Sequence, residues 1–261
     1  MKRTLLLLCS ILVSLGVFGQ QMPKPELFVV HEEIVKPSAM MQYEAASKDF
    51  ISGLTEKKFS SPALNWRAFM TSDMHFVYIG HIDNFASLDS MQAEWGRARE
   101  AVGAARWDDM DRRGSDAMSS YNDFIVMYRP DLSYLPANPR LSMSDRRYIR
   151  WDFHYLLPGR QKEAEAIARD YVALFKQKNL PDSFNIYMAV YGNDLPLLVV
   201  AIPGKSEADL LAADDRVNTT LGADVRPLQQ RALAITRKFE RREGTLRPDL
   251  SYPAPAAPTM K

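Results

Sequence analysis

Cysteine is nearly missing from this 261-residue chain: the one copy, Cys9, sits inside an apolar stretch near the N-terminus. If that stretch is removed, disulfide scaffolds, Cys-ligated metal centres and thiol catalysis have no residues to work with. A charge of one sign is missing as well. Lys plus Arg total 33 and Asp plus Glu total 32, a net charge of +1, so the basic surplus of a dedicated nucleic-acid binder is absent. Beyond Phe18 no apolar run approaches the roughly 20 residues of a spanning helix. There is no nucleotide-binding glycine loop, no His-Glu-x-x-His, no Gly-x-Ser-x-Gly and no EF-hand loop. No metal-ligand set stands out, and no cofactor is indicated.

What is present is the material of a folded protein: 46% apolar and 25% charged residues. The chain opens with Lys2 and Arg3, followed by an apolar run from Leu5 to Phe18 that is interrupted only by Ser10, Ser14 and Gly16. This is the layout of a secretory signal over residues 1–20, with cleavage near Gly19-Gln20-Gln21, and it predicts an exported, periplasmic or extracellular protein. The Pro- and Ala-rich residues 253–261 read as a disordered tail.

The hexapeptide Arg129-Pro130-Asp131-Leu132-Ser133-Tyr134 recurs unchanged as Arg247-Pro248-Asp249-Leu250-Ser251-Tyr252. Upstream, Val35-Lys36-Pro37-Ser38 aligns with Leu156-Leu157-Pro158-Gly159, and Lys48-Asp49-Phe50 with Arg169-Asp170-Tyr171. Anchors at nearly one spacing indicate an internal duplication. Each copy reads as strand, helix, two strands, helix, strand. In copy one the strands are 27–35, 64–71, 75–81 and 123–128, with a helix entered at Pro37. In copy two the hairpin returns at 184–191 and 195–202, and the last strand shows only at 244–246. The order predicts an α+β protein of two tandem ferredoxin-like βαββαβ domains related by a pseudo-twofold axis, the two sheets facing each other. The expected organisation is signal 1–20, first domain 21–135, linker 136–146, second domain 147–252 and tail 253–261.

The stretch Arg150-Trp151-Asp152-Phe153-His154-Tyr155-Leu156-Leu157-Pro158-Gly159-Arg160 is similar to the first strand and helix entry of NIPSNAP-like and antibiotic-monooxygenase-like proteins. The chain thus resembles the dimeric α+β barrel superfamily in tandem form. That resemblance implies a barrel-like union of the two sheets. It admits several activities, among them cofactor-free monooxygenases, haem-handling enzymes, isomerases and binding proteins, and carries over no catalytic residue.

Alternation on the first strands suggests where chemistry could sit. If Trp151, Phe153 and Tyr155 face the helices, Asp152 and His154 point into the space between the sheets. An offset of 121 residues sets His31 against Asp152 and Glu33 against His154, so each copy would send one imidazole and one carboxylate to the same side. A carboxylate beside histidine is a common arrangement for proton transfer or ligation. Arg67 on the second strand and Tyr187 on its counterpart could line the same pocket. The candidate ligand-binding set is therefore His31, Glu33, Arg67, Asp152, His154 and Tyr187. His75 and His81 read as strand-end histidines exposed to water, and the repeated hexapeptide as structural, its Asp capping backbone amides while its Tyr packs. The expected function is binding of a small ligand between the two sheets. The alternatives are a cofactor-free or haem-related monooxygenase or isomerase, and a protein-interaction module. The expected partners are a small molecule and a second copy of the chain in a homodimer, with no nucleic acid and no membrane span after signal cleavage.

Overall fold

The computed structural model describes residues 24–192 and 194–252. The signal segment and the tail lie outside the described residues. The first half runs β1 (Glu26–Val35), α1 (Met40–Glu56), β2 (Arg67–Thr71), β3 (His75–Ile82), α2 (Ser87–Val102), α3 (Ala104–Ala117) and β4 (Met118–Tyr128). The second runs β5 (Tyr148–Leu156), α4 (Gln161–Gln177), β6 (Asn185–Tyr191), β7 (Leu197–Gly204), α5 (Glu207–Leu221), α6 (Arg226–Ile235) and β8 (Thr236–Leu246). Pro37 opens a 3-10 turn that leads into α1. The second helical stretch of each half is broken in two beside a glycine of positive φ, Gly103 at +100° and Gly222 at +54°, a region that costs most side chains energy.

Two tandem ferredoxin-like domains with facing sheets are not what forms. The strand order β1-β3-β2-β8-β5-β7-β6-β4 closes on itself, giving one antiparallel eight-stranded barrel to which both halves contribute four strands. The reason lies at the sheet edges. A pair of facing sheets leaves four edge strands with unpaired N–H and C=O groups. Here β2 pairs with β8 and β4 with β6, so closure satisfies all four edges.

Closure also sets which way the side chains point, and it reverses the expected direction. Trp151, Phe153 and Tyr155 pack in the barrel bore with Val30, Phe69, Val77, Val126, Leu197, Val199 and Ala201. Asp152 and His154 lie on the outer face, in a cleft with residues of α4 and α5. His31 and Glu33 are likewise outside, against α1, while Glu32 turns into the bore. Both faces of these strands are buried, one against the other strands and one against helices, so apolar alternation marks an inner face without saying which. Two strands are longer than their apolar segments. β4 begins at Met118 rather than Asp123 and β8 at Thr236 rather than Gly244, because their early residues are polar and largely exposed yet complete the ladders to β1 and β5.

The repeated hexapeptide is a pair of crossed clasps. Arg129, leaving β4, donates to Asp131 at 2.8 and 2.9 Å and to Glu165 on α4 of the other half at 2.8 Å. Arg247, leaving β8, does the same to Asp249 and to Glu44 on α1. Ser133 Oγ accepts the amide of Ile186, and Ser251 Oγ that of Ala68, again across the halves. Leu132 and Leu250 are fully buried; the Tyr134 hydroxyl donates to the Leu180 carbonyl, 2.8 Å away, and the Tyr252 hydroxyl donates to the Phe59 carbonyl. The structural reading holds, but each Asp pairs with its own arginine rather than capping amides. The same junction is built twice, so the same six residues serve twice.

Candidate functional site

The six sequence-selected residues do not converge. They divide among three cavities. His31 and Glu33 line a cleft of about 430 Å³ between the first-half sheet and α1–α3. Asp152 and His154 line one of about 350 Å³ in the second half. Arg67 and Tyr187 line the bore, about 670 Å³.

The first-half cleft holds a continuous polar chain. His31 Nδ1 lies 2.7 Å from Asp123 Oδ1 and Nε2 lies 3.1 Å from Glu33 Oε1. The hydroxyl of Tyr43, on the buried face of α1, donates to Glu33 Oε2 and lies 2.7 Å from that of Tyr78 on β3. Burial alone would depress the imidazole. The hydrogen bonds and charges of Glu33 and Asp123 outweigh it and raise His31 to about 9, so the ring is an imidazolium that donates to both carboxylates at neutral pH. Burial holds the Tyr43 and Tyr78 hydroxyls protonated, with their pKa values far above the ordinary phenol range. The donors therefore run Tyr78 to Tyr43 to Glu33, with His31 supplying Glu33 from the other side. Asp123, 55% exposed, places the far end of the chain in water. Four large rings wall the cleft: Phe50 packs 5.0 Å from Trp107 and 5.8 Å from Trp95, and Trp66 lies 5.6 Å from Trp95.

The second-half cleft has the same framework and different chemistry. Strand pairing sets His31 opposite Tyr78 and Asp123, and sets Asp152, at the equivalent place, opposite Val200 and Arg241. Asp152 is clamped by Arg241 at 2.7 and 3.1 Å. His154 has no hydrogen-bond partner among the described residues. It packs edge-on to Phe239 at 5.0 Å, and burial lowers its pKa, so it is neutral. The 121-residue offset puts Ala164 where the first half has Tyr43. Ala164, Ile167, Leu198 and Phe175 make this cleft part of a packed core.

In the bore, Glu32 is 4% exposed. It accepts from His75 Nδ1 at 2.6 Å and from Arg242, while Asn122 lies 3.5 Å away. Burial works against its charge, but the His75 hydrogen bond and the Arg242 cation prevail and hold its carboxyl below the usual range. His75 is thus a partly buried ion-pair partner and not a water-exposed strand end, whereas His81 is exposed as expected. Of the residues that carry these arrangements, sequence reasoning did not select Tyr43, Tyr78, Asp123, Glu32 or Arg242. Tyr43 gave a signal, a hydroxyl on the apolar face of a helix; Asp123 and Arg242 gave none, since their roles depend on pairing with distant strands.

No family model matches the chain, and no curated protein matches its sequence. Solved structures do. An anthrone oxidase-like protein superposes with a TM-score of 0.56 at 10% identity, over 85% of this chain and 91% of its own. A candidate monooxygenase from Fusobacterium nucleatum superposes at 0.50 and 12% identity, over 88% and 98%. Closure of two four-stranded sets into one barrel with helices outside, together with these superpositions, shows that the chain has the fold of the dimeric α+β barrel proteins, built here from a single polypeptide.

Proposed function

We propose that the first-half cleft binds a flat aromatic ligand bearing a hydroxyl or ring ketone and exchanges a proton with it, as a cofactor-free oxygenase or isomerase of this fold does. The observation that carries this reading is the chain Tyr78–Tyr43–Glu33–His31–Asp123, which joins a cavity walled by Phe50, Trp66, Trp95 and Trp107 to water. Aromatic walls favour stacked rings. A ligand oxygen at the end of the chain takes the Tyr78 hydroxyl in place of Tyr43, and an oxyanion forming there is stabilised by that donor. Glu33, between a phenol and an imidazolium, receives or returns the proton, and the route to Asp123 restores it from solvent. One neighbour of the same fold is described as anthrone oxidase-like, in agreement with ring-ketone chemistry.

A haem-related reading does not fit the residues present. His154 has a neutral ring with no hydrogen-bond partner among the described residues, but its cleft of about 350 Å³ is small for a haem and is walled by core side chains such as Ile167, Phe175 and Leu198. The nearby cations Arg150 and Arg241 are held by Asp214 and Asp152, and so are not free to meet haem carboxylates. Export, read from residues 1–20, belongs to the proposal and is tested by the N-terminus of the protein purified from its own host.

Three tryptophans in the cleft make binding measurable by intrinsic fluorescence. Titration with anthrone is expected to quench saturably, and the absorbance of its anion reports deprotonation. Tyr43→Phe is expected to slow deprotonation at least tenfold, and Glu33→Gln by about 10²–10⁴-fold, the range of general acid–base contributions. Absence of saturable quenching, or an unchanged rate in Glu33→Gln, overturns the assignment.

A further inference from the structure

An eight-stranded barrel has an interior just wide enough for side chains to fill or for one small ligand to occupy. The bore of this one is not filled. Its cavity of about 670 Å³ is the size of a small-molecule site, although large side chains such as Phe28, Phe69, Trp151 and Phe153 line it. Phe28, Ile79, Phe124 and Ile149 face this interior and are only partly buried, unlike the closely packed residues behind the sheet. They present apolar surface to a space inside the protein.

The two ends of the bore differ. At one end Glu32, Arg242 and His75 pair with one another, so the charge there is satisfied. At the other, strand register brings together Arg67 of β2, His81 of β3 and Asn185 and Tyr187 of β6, and Arg146 arrives from the segment before β5. Among the described residues, Glu26 is the one carboxylate lining this mouth. Neither Arg67 nor Arg146 has a carboxylate partner among the described residues, and Arg146 Nε is shielded from water with no hydrogen-bond acceptor. A buried guanidinium N–H without an acceptor is unusual, because leaving it unpaired is costly. Arginine is also the side chain whose donor fork matches a carboxylate or phosphate oxygen pair.

We infer that the bore is a second binding site, separate from the first-half cleft, for an apolar molecule with a single anionic head: the apolar part lies among Phe28, Phe69, Trp151 and Phe153 and the head meets Arg67 and Arg146. Trp151 and Phe153 close round the body of such a ligand, and Tyr187 offers its hydroxyl beside the head. The ligand class is an amphiphilic acid of the size of a fatty acid or a ring carboxylate.

The test uses the full chain and cis-parinaric acid, whose fluorescence rises in apolar surroundings. Saturable one-to-one binding is expected, with the methyl ester at least tenfold weaker. Arg67→Gln with Arg146→Gln, at the mouth and away from the packed core, is expected to weaken the acid tenfold or more and to leave the ester unchanged. Ala201→Leu projects into the bore and is expected to abolish binding of both. Anthrone, placed in the first-half cleft, is expected not to displace the probe. No saturable signal, equal affinity for acid and ester, unaltered binding in the arginine double variant or full displacement by anthrone overturns the inference. If Ala201→Leu does not fold, the arginine pair and the ester decide it alone.

Discussion

Replacing Glu32 by alanine tests whether the inner end of the barrel is held by charge. The carboxylate is 4% exposed and has three neighbours that complement it, His75 at 2.6 Å, Arg242 and Asn122. Removing one partner of a buried ion pair leaves the other charge uncompensated and costs about 3–5 kcal/mol. Two features place this site near the lower figure. Arg242 keeps Glu240 at 3.3 Å, and it is itself 21% exposed. The expected loss is therefore about 3 kcal/mol at pH 7, a large share of the roughly 5–15 kcal/mol that holds a typical domain together. Glu32→Met with Arg242→Met removes both charges and is expected within about 1 kcal/mol of the native protein, since apolar replacement of a whole buried pair is often neutral. The pH dependence follows from the depressed carboxyl. The contribution of Glu32 is complete above its ordinary value near 4.5 and fades as pH falls through the lower folded value, so the gap between native and Glu32→Ala closes in acid. Urea melts with unchanged m-values give the numbers. A loss under about 1 kcal/mol for Glu32→Ala, or a double variant no better than the single, refutes the reasoning.

His31 makes the opposite prediction. Its pKa is raised to about 9, so its stabilising effect is complete below its ordinary value near 6.5 and disappears as pH rises through about 9. Thermal melts of native and His31→Gln proteins are expected to differ at pH 6 and to converge at pH 10. Tyr43→Phe deprives Glu33 of a donor in a buried site and is expected to cost about 1–3 kcal/mol, read by urea denaturation. Gly244 sits where an added Cβ would meet Trp151 Cζ3 at 3.0 Å and the Met70 carbonyl at 3.3 Å, so Gly244→Ala is expected to lose about 1–3 kcal/mol in the same assay and to shift the Trp151 emission. Arg129→Ala and Arg247→Ala break equivalent clasps at two separate places. Each is expected to cost about 1.5–3 kcal/mol, the two losses matching and adding in the double variant.

Much of this architecture was readable because duplication supplies its own check. The 121-residue offset that pairs His31 with Asp152 and Glu33 with His154 matches the structure: both pairs occupy the same strand positions and the same outer face. The hairpins and the Pro37 helix entry followed from local turn chemistry. The side on which those pairs lie was not readable. Val30, Trp151 and Phe153 alternate with residues that are also covered, so the pattern is the same for a strand read from within or without. Nor were the early parts of β4 and β8. Tyr121 and Asn122, like Glu240 and Arg241, look like surface sequence and become strand only by pairing with β1 and β5. The carboxylate that completes the His31 site, Asp123, opens the expected strand, but its partner on β1 was not readable from either strand alone.

The two halves also serve as a control for the functional assignment. They share strand order, helix placement and clasp, so a residue needed only for the fold ought to recur in both. The clasp arginines do. The polar chain does not: where the first half has His31, Tyr43, Tyr78 and Asp123, the second has Asp152, Ala164, Val200 and Arg241. The carboxylate and the cation have exchanged strands in the His31–Asp123 and Asp152–Arg241 pairs, each bonded at 2.7 Å, and the second-half pair has no hydroxyl hydrogen-bonded to it among the described residues. The same sheet-and-helix frame therefore folds with alanine and valine at the places of Tyr43 and Tyr78, and the buried tyrosines are not a requirement of the architecture. Burying two tyrosine hydroxyls where alanine and valine suffice costs desolvation, and that cost is most simply explained by what the first-half cleft does with a ligand.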